Sequence, residues 1–156
     1  QYRRGLLPEP EREFYISGDA FVKDWIIKVR NDVPDAPVLV TAGGLLHYFE
    51  ENKVISLLRM IGQSGNMEVV FDTVNKKGMA MMQKKYMKQV GHADAQMFFY
   101  VDAAKELAAK IRGNVKVIAE EPYYRYIPKN GLKLSTKVSM AVSDQFKMVK
   151  MIHLKL

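Results

Sequence analysis

The stretch VLVTAGGLLHYF, residues 38–49, decides how this chain folds. Residues 38–41 are too uniformly apolar for a strand with one wet face, and such runs are typical of parallel strands covered by helices. The run leads into Gly43 and Gly44, where a backbone without Cβ atoms can turn sharply or allow a ligand to approach closely. Ligands of open α/β sheets collect beyond the carboxyl ends of the strands, so this glycine pair is a candidate binding position.

The flanking segments alternate between strand and helix patterns. Residues 14–16 predict a short strand, and residues 21–30 have apolar side chains at helical spacing. Residues 67–74 predict a buried strand with Asp72 near its carboxyl end. The order strand, helix, strand, helix, strand predicts an α/β fold with a parallel sheet. The helix after the glycine pair has one apolar stripe, formed by Val54, Leu57, Leu58 and Ile61.

The second half of the chain departs from this alternation. Residues 76–90 predict a basic, methionine-rich helix, and a further helix is expected to begin at a cap formed by Asp102. Residues 115–127 contain a strand pattern, whereas residues 135–146 fit no single pattern. Residues 147–156 predict a strand with apolar side chains on both faces, which is typical of a central strand.

Composition excludes several classes of protein. The 156 residues include no cysteine, which rules out disulfides and thiolate metal sites and is typical of a cytoplasmic protein. The three histidines, His47, His92 and His153, are too scattered to indicate a zinc site, so no metal is expected. No apolar run approaches the ~20 residues needed to cross a bilayer, and we expect no membrane partner.

Charge is distributed unevenly along the chain. Residues 1–75 hold 8 basic and 11 acidic residues, a net charge of −3, whereas residues 76–156 hold 16 and 6, a net charge of +10. The lysines of the basic half are spread over several elements without a nucleic-acid module, so we expect no nucleic-acid partner. An alternative function remains open: residues 76–90 could be a docking helix for an acidic protein or an anionic membrane, or they could fold over the sheet as a flap.

Three segments taken in order resemble a known family. The segments YISGDAF, VLVTAGGLLHYFEENKVISLL and MEVVFDTVNKKG are similar to the leucine carboxyl methyltransferase and polyketide-synthesis O-methyltransferase family of S-adenosyl-L-methionine enzymes. The resemblance covers nearly the whole chain. It implies a Rossmann-like class I methyltransferase sheet, mostly parallel, with an antiparallel last strand inserted between two neighbours. It also implies methyl transfer to a hydroxyl or carboxylate of a small molecule.

The resemblance assigns the cofactor to two strand ends. Asp19 and Ala20, after the third strand of the family's sheet, would face the adenine of S-adenosyl-L-methionine. Ala42 and Gly43, after the fourth strand, would approach its methionine portion. Each position also has a purely structural interpretation, because Asp19 could cap the following helix and the glycines could simply turn the chain.

The acceptor side is assigned to the next residues along the chain. Tyr48 and Asp72 would border the methyl acceptor by this resemblance. A phenol acceptor could need a general base, for which His47 is the candidate, whereas a carboxylate acceptor is already ionised. The alternative for His47 is a polar residue at a helix start without a chemical role.

The sequence departs from the family pattern in two respects. Many members have a glutamate where Gly43 stands, and the family's glycine-rich loop and ribose-binding acid have no counterpart before Asp19. We therefore expect residues 1–156 to be one partial methyltransferase domain, its C-terminal half, and inactive alone. Its expected partners are a small-molecule methyl acceptor and either the N-terminal half of the same domain or a second chain.

Overall fold

The N-terminal part of the chain forms a unit of its own. A computed structural model describes residues 5–6, 11–86 and 96–156, and the chain divides into compact units at residues 1–36 and 37–156. The first unit contains helix α1, Asp24–Asp32, which begins three residues later than predicted. The strand predicted at residues 14–16 is wrong: the segment is not part of a sheet. A strand needs a second strand beside it, and no strand in the described part of the chain pairs with this segment.

The second unit is built on a mixed four-stranded sheet in the order β1-β2-β4-β3. Strands β1 and β2 are parallel, and β4 is antiparallel to both β2 and β3. An antiparallel last strand therefore lies between two strands that run the other way, which confirms the predicted fold class and the central position of residues 147–156. The strands are β1 Val38–Ala42, β2 Met67–Val74, β3 Lys116–Pro122 and β4 Val149–Lys155.

Four helices accompany this sheet in the described residues of the second unit. A short 3-10 turn, Leu46–Tyr48, separates β1 from α2. The ambiguous segment near residues 135–146 is a helix, and the methionine-rich helix continues as a π-helical turn, Met82–Tyr86. Residues 87–90 of its predicted range lie outside the described part of the chain. The helices are α2 Glu51–Gly62, α3 Lys76–Met81, α4 Ala104–Ile111 and α5 Leu134–Gln145.

The core lies on one face of the sheet. Alternate residues of β2 and β4 are fully buried, and Phe71 is paired with Ile152 and Val69 with Leu154. Helices α2 and α4 contact each other and the sheet, and their apolar stripes are buried as the sequence predicts. Because side chains alternate along a strand, this packing anchors β1 and β2 and fixes where their carboxyl ends lie.

The methionine-rich helix α3 packs into the molecule. Met79 is buried in a cluster with Val74 and Met97, so its side chain is not available as part of a docking surface. The Asn75 side chain caps α3 by accepting a hydrogen bond from the Gly78 N–H at 2.7 Å. This packing favours the flap interpretation of the segment over the docking alternative. None of the helices in the described residues is long and apolar enough to cross a membrane.

Candidate functional site

The carboxyl ends of β1 and β2 meet at the glycine pair. The Asp72 Oδ1 atom accepts a hydrogen bond from the Gly44 N–H at 2.6 Å, and Ala42 lies beside Phe71 in the sheet register. Gly44 has a φ of +63°, a left-handed conformation that favours glycine. Gly43 has no such requirement, and nothing lies within 4 Å of the position that a Cβ atom would take there. Gly44 thus makes the turn, and Gly43 leaves the backbone open to the approach of a ligand.

His47 follows this loop in the chain and lies near the Asp72 carboxylate. The short 3-10 turn buries its side chain, of which only 6% is exposed. Burial lowers the pKa of His47, and the nearby Asp72 carboxylate raises it to a lesser extent. The net lowering favours a neutral imidazole at physiological pH. Within the described residues, its buried Nδ1 atom has no hydrogen-bond partner.

The backbone of His47 also anchors a segment from far along the chain. Its carbonyl oxygen accepts hydrogen bonds from the N–H groups of Phe98, at 2.8 Å, and Phe99, at 3.3 Å. The Val101 N–H donates to the carbonyl of Val74 at 2.9 Å, so this segment also crosses the end of β2. The sequence analysis did not assign it to the site. The sequence MFFYV shows a short apolar run there, but its alternation of buried and more exposed residues appears only in the structure.

A pocket of about 350 Å³ lies between this segment and helices α2 and α4. Phe98, with 42% of its surface exposed, and Tyr100 contribute aromatic side chains to it. Tyr48, assigned to the acceptor side by the family resemblance, is 41% exposed, and its ring lies edge-on to that of His47, with centroids 5.1 Å apart. This unit therefore offers exposed aromatic side chains on residues that contact His47.

The predicted cap of α4 is wrong. Asp102 does not cap that helix; its Oδ1 atom accepts a hydrogen bond from the Lys76 N–H at 2.9 Å, at the start of α3. The Ala104 N–H is instead bound by Glu120 Oε2 at 3.2 Å. The buried Lys150 ammonium donates to Glu120 Oε1 and to the Asp102 carbonyl, both at 2.7 Å. This network fixes the start of α4 relative to β3 and β4, and a lysine within an apolar strand was its signal in the sequence.

Asp19 and Ala20 belong to the N-terminal unit. The Asp19 carboxylate accepts a hydrogen bond from the Phe21 N–H at 2.9 Å, and the Trp25 indole N–H donates to the Ala20 carbonyl at 2.9 Å. Both contacts stabilise the turn that leads into α1. Asp19 also lines a surface pocket of about 480 Å³ within this unit, together with Ser17 and Gly18.

A metal centre has no support in the described ranges, where no group of three or more histidine, cysteine, aspartate or glutamate side chains could hold an ion. The residues at the β1 and β2 ends could instead hold an organic cofactor. A backbone open at Gly43, a carboxylate at Asp72 and a neutral imidazole together suit a ligand that carries positive charge.

No family model matches the chain. The chain is 32% identical, over 117 residues, to the S-adenosyl-L-methionine-dependent methyltransferase dpfgK of Gibberella zeae. That match covers 68% of this chain and 38% of the relative, so the chain spans less than two fifths of that protein's length.

The fold has a counterpart among solved structures. A DUF574 family protein from Streptomyces avermitilis superposes with a TM-score of 0.61 at 11% sequence identity. The superposition covers 97% of this chain and 59% of that protein. At this level of identity the likeness concerns the fold alone, and it agrees with the mixed α/β sheet described above.

Proposed function

We propose that this chain is part of an S-adenosyl-L-methionine-dependent O-methyltransferase. Its acceptor would be a hydroxyl or carboxylate of a small molecule, as in the polyketide-synthesis methyltransferases that the sequence resembles. The proposal rests above all on the paired strand ends, where Asp72 and Gly44 are in contact beside an open Gly43. The similarity to a fungal methyltransferase supports the same activity.

The residues at these strand ends fit the methionine portion of the cofactor. Ala42 and Gly43 would lie against it, because no side chain obstructs the approach to Gly43. When bound, S-adenosyl-L-methionine supplies the methyl group on a cationic sulfur. The Asp72 carboxylate nearby and the uncharged His47 favour a cation in this position. In the N-terminal unit, Asp19 and Ala20 are proposed to contact the adenine.

The chain's own contribution to catalysis would be alignment and proton removal. Tyr48 and Asp72 would border the acceptor. Because burial keeps His47 neutral, its imidazole is the proposed base that accepts a proton from an acceptor hydroxyl. A carboxylate acceptor would need no such base.

The open edge of β1 is a candidate binding surface for the proposed polypeptide partner. In the described sheet, β1 is an edge strand, and Leu39 on it is 57% exposed. An exposed apolar edge strand is a template for pairing with further polypeptide. We propose that this edge pairs with the N-terminal half of the same domain or with a second chain. Either arrangement would complete the cofactor site.

Calorimetry with S-adenosylhomocysteine, on the protein expressed from its complete gene, tests the cofactor. We expect binding that Gly43→Val weakens by about tenfold or more, since the added side chain occupies the open approach. The melting temperature of Gly43→Val should stay unchanged, because its Cβ atom meets nothing within 4 Å. Asp19→Ala tests the adenine contact in the same way, and Lys133→Ala, at the exposed start of α5, is the control. Absence of binding heat in the unmodified protein would refute the proposal.

The role of His47 is tested by activity. With a hydroxyl acceptor, His47→Gln should lower kcat by about 100-fold, the scale of a general base, whereas with a carboxylate acceptor it should change kcat little. The unmodified protein should lose activity towards hydroxyl acceptors as the pH falls below the ordinary histidine range. Equal losses for both acceptors would assign His47 a structural role only.

A further inference from the structure

The pocket between the Phe98 segment and helices α2 and α4 has an unusual charge distribution. Among its described lining residues, Glu51, Asp102 and Glu106 are acidic and only Lys110 is basic. The Lys110 ammonium is bound to Glu51 Oε1 at 2.6 Å, and this hydrogen bond raises the pKa of Lys110. The single lining cation is therefore already neutralised by a protein carboxylate, and the lining has a formal surplus of negative charge.

Other nearby donors are also engaged by the protein's own carboxylates. Asp102 accepts from the Lys76 N–H, and Glu120 accepts from the Ala104 N–H at the start of α4. The positive end of α4, which would otherwise attract an anion, is thus occupied. Glu106 lies near the Lys110 ammonium and contributes to raising its pKa, but no hydrogen bond of its carboxylate is found among the described residues, so it can accept one from a ligand hydroxyl.

The uncharged part of the lining is aromatic and open. Phe98 exposes 42% of its surface, although its neighbours Met97 and Phe99 expose only 4% and 1%. The two hydrogen-bonded N–H groups at the His47 carbonyl hold this segment in place, so Phe98 stays directed away from the core. An exposed aromatic ring on a fixed backbone is a good stacking surface for a planar ligand. The same two hydrogen bonds connect the pocket wall to the proposed base.

We propose that this pocket is the acceptor site and that it selects a neutral aromatic hydroxyl over a carboxylate. The inference rests on the proposed function and narrows its acceptor class. A phenol can stack on Phe98 and donate its hydroxyl to an acidic side chain, whereas a carboxylate meets like charge and no unengaged cation in the described lining. S-adenosyl-L-methionine would supply the methyl group of the new carbon–oxygen bond and leave as S-adenosylhomocysteine, and the phenol would give up its proton to the proposed base His47, whose backbone is hydrogen-bonded to Phe98 of the lining.

Two matched probes test the selectivity without any turnover. In the 156-residue chain, 2-naphthol and 2-naphthoate present the same ring system with a hydroxyl or a carboxylate. Amide NMR titrations should place both probes at Phe98, Tyr100 and Glu106, with 2-naphthol binding about tenfold more tightly at low salt. Glu106→Gln should reduce the ratio of the two affinities by about half or more, because it removes one of the negative charges that repel the carboxylate of 2-naphthoate. Phe98→Ala should weaken the binding of both probes, and the fold should be retained because the Phe98 side chain is exposed.

Controls separate this inference from the cofactor assignment. Glu68→Gln removes a carboxylate from the start of β2, on the opposite face of the sheet, and should leave the ratio unchanged. Equal binding, preference for 2-naphthoate, shifts at other amides or absence of binding would each overturn the inference. Binding of S-adenosylhomocysteine is measured separately, so a failed cofactor site and a failed acceptor preference give different results.

Discussion

The two faces of the sheet differ in how well they are covered. On the closed face, Phe71, Ile152 and Leu154 expose none of their surface, whereas Leu39 on the open face exposes 57%. Met151, also on the open face, is half-buried. Apolar burial is the main favourable term in folding, so the closed face should determine the stability of this unit. The open face and the β1 edge remain suited to contact with further polypeptide.

The largest expected effect is on the closed face. Phe71→Ala should lower the free energy of unfolding by about 3–5 kcal/mol, because the cavity is surrounded by fully buried neighbours. The matched change on the open face, Leu39→Ala, should cost less than about 0.5 kcal/mol. Urea denaturation followed by circular dichroism measures both. Similar losses at the two positions would show that the open face is covered in solution, for example by self-association.

The closed face also contains an ion pair, Lys150 with Glu120, and removal of its cation should have the next largest effect. Lys150→Met leaves Glu120 partly buried without its partner and should cost about 2–3 kcal/mol. Adding Glu120→Leu should recover part of that loss, because an apolar pair replaces both ions. If the double variant is less stable than Lys150→Met, the carboxylate stabilises the start of α4 independently of the lysine.

The same pair predicts how stability depends on acid. Burial alone would raise the pKa of Glu120, but hydrogen bonds from Lys150 and Ala104 outweigh it and hold the pKa below its usual value. The stabilisation is therefore complete above the unfolded-state pKa and is lost as the pH falls through the lower folded-state pKa. Lys150→Met should reduce this acid dependence in urea titrations at several pH values. An unchanged dependence would assign it to other carboxyl groups.

A glycine in α3 gives a smaller effect with an informative sign. Alanine normally stabilises a helix interior by about 1 kcal/mol relative to glycine. At Gly78, however, an added Cβ atom would overlap the Met148 carbonyl oxygen, so Gly78→Ala should destabilise by about 1–2 kcal/mol. Gly43→Ala, with open space around the position, is the control and should be nearly neutral. If Gly78→Ala instead stabilises the protein, helix α3 can shift away from Met148, the residue before β4.

The sequence predicted the elements whose signal is local and apolar. The bounds predicted for β2 agree with the structure because an apolar run ends at Asn75, a helix cap. The strand predicted at residues 14–16 was wrong because strand-like composition does not show whether a second strand is present to pair with it. Helix α5 was ambiguous because its apolar side chains face solvent, with exposures of 78% for Leu134 and 54% for Val138. Periodicity detects a buried face, and this helix has only a narrow one.

The candidate site was predictable only at its strand ends. Glycines and an aspartate after apolar runs are visible in the sequence, and the Asp72–Gly44 contact brings them together. The Phe98 segment is 51 residues from His47, and their contact depends on backbone groups that every residue has. The role of Asp102 was misread for a similar reason, since an aspartate before a helix can bind either its own helix or a neighbouring N–H group.

The smallest effect is expected at His47, because burial and the Asp72 carboxylate shift its pKa in opposite directions. Burial dominates, so the folded protein takes up this proton at a lower pH than the unfolded chain does. Stability should therefore be complete above the unfolded-state pKa of about 6.5 and decrease as the pH falls towards the folded-state pKa. Urea midpoints between about pH 5 and pH 8 should show this slope, and His47→Gln should flatten it. Parallel curves for the unmodified protein and His47→Gln would show that the imidazole is hydrated in the folded state, and it would then be a weaker candidate for the neutral base.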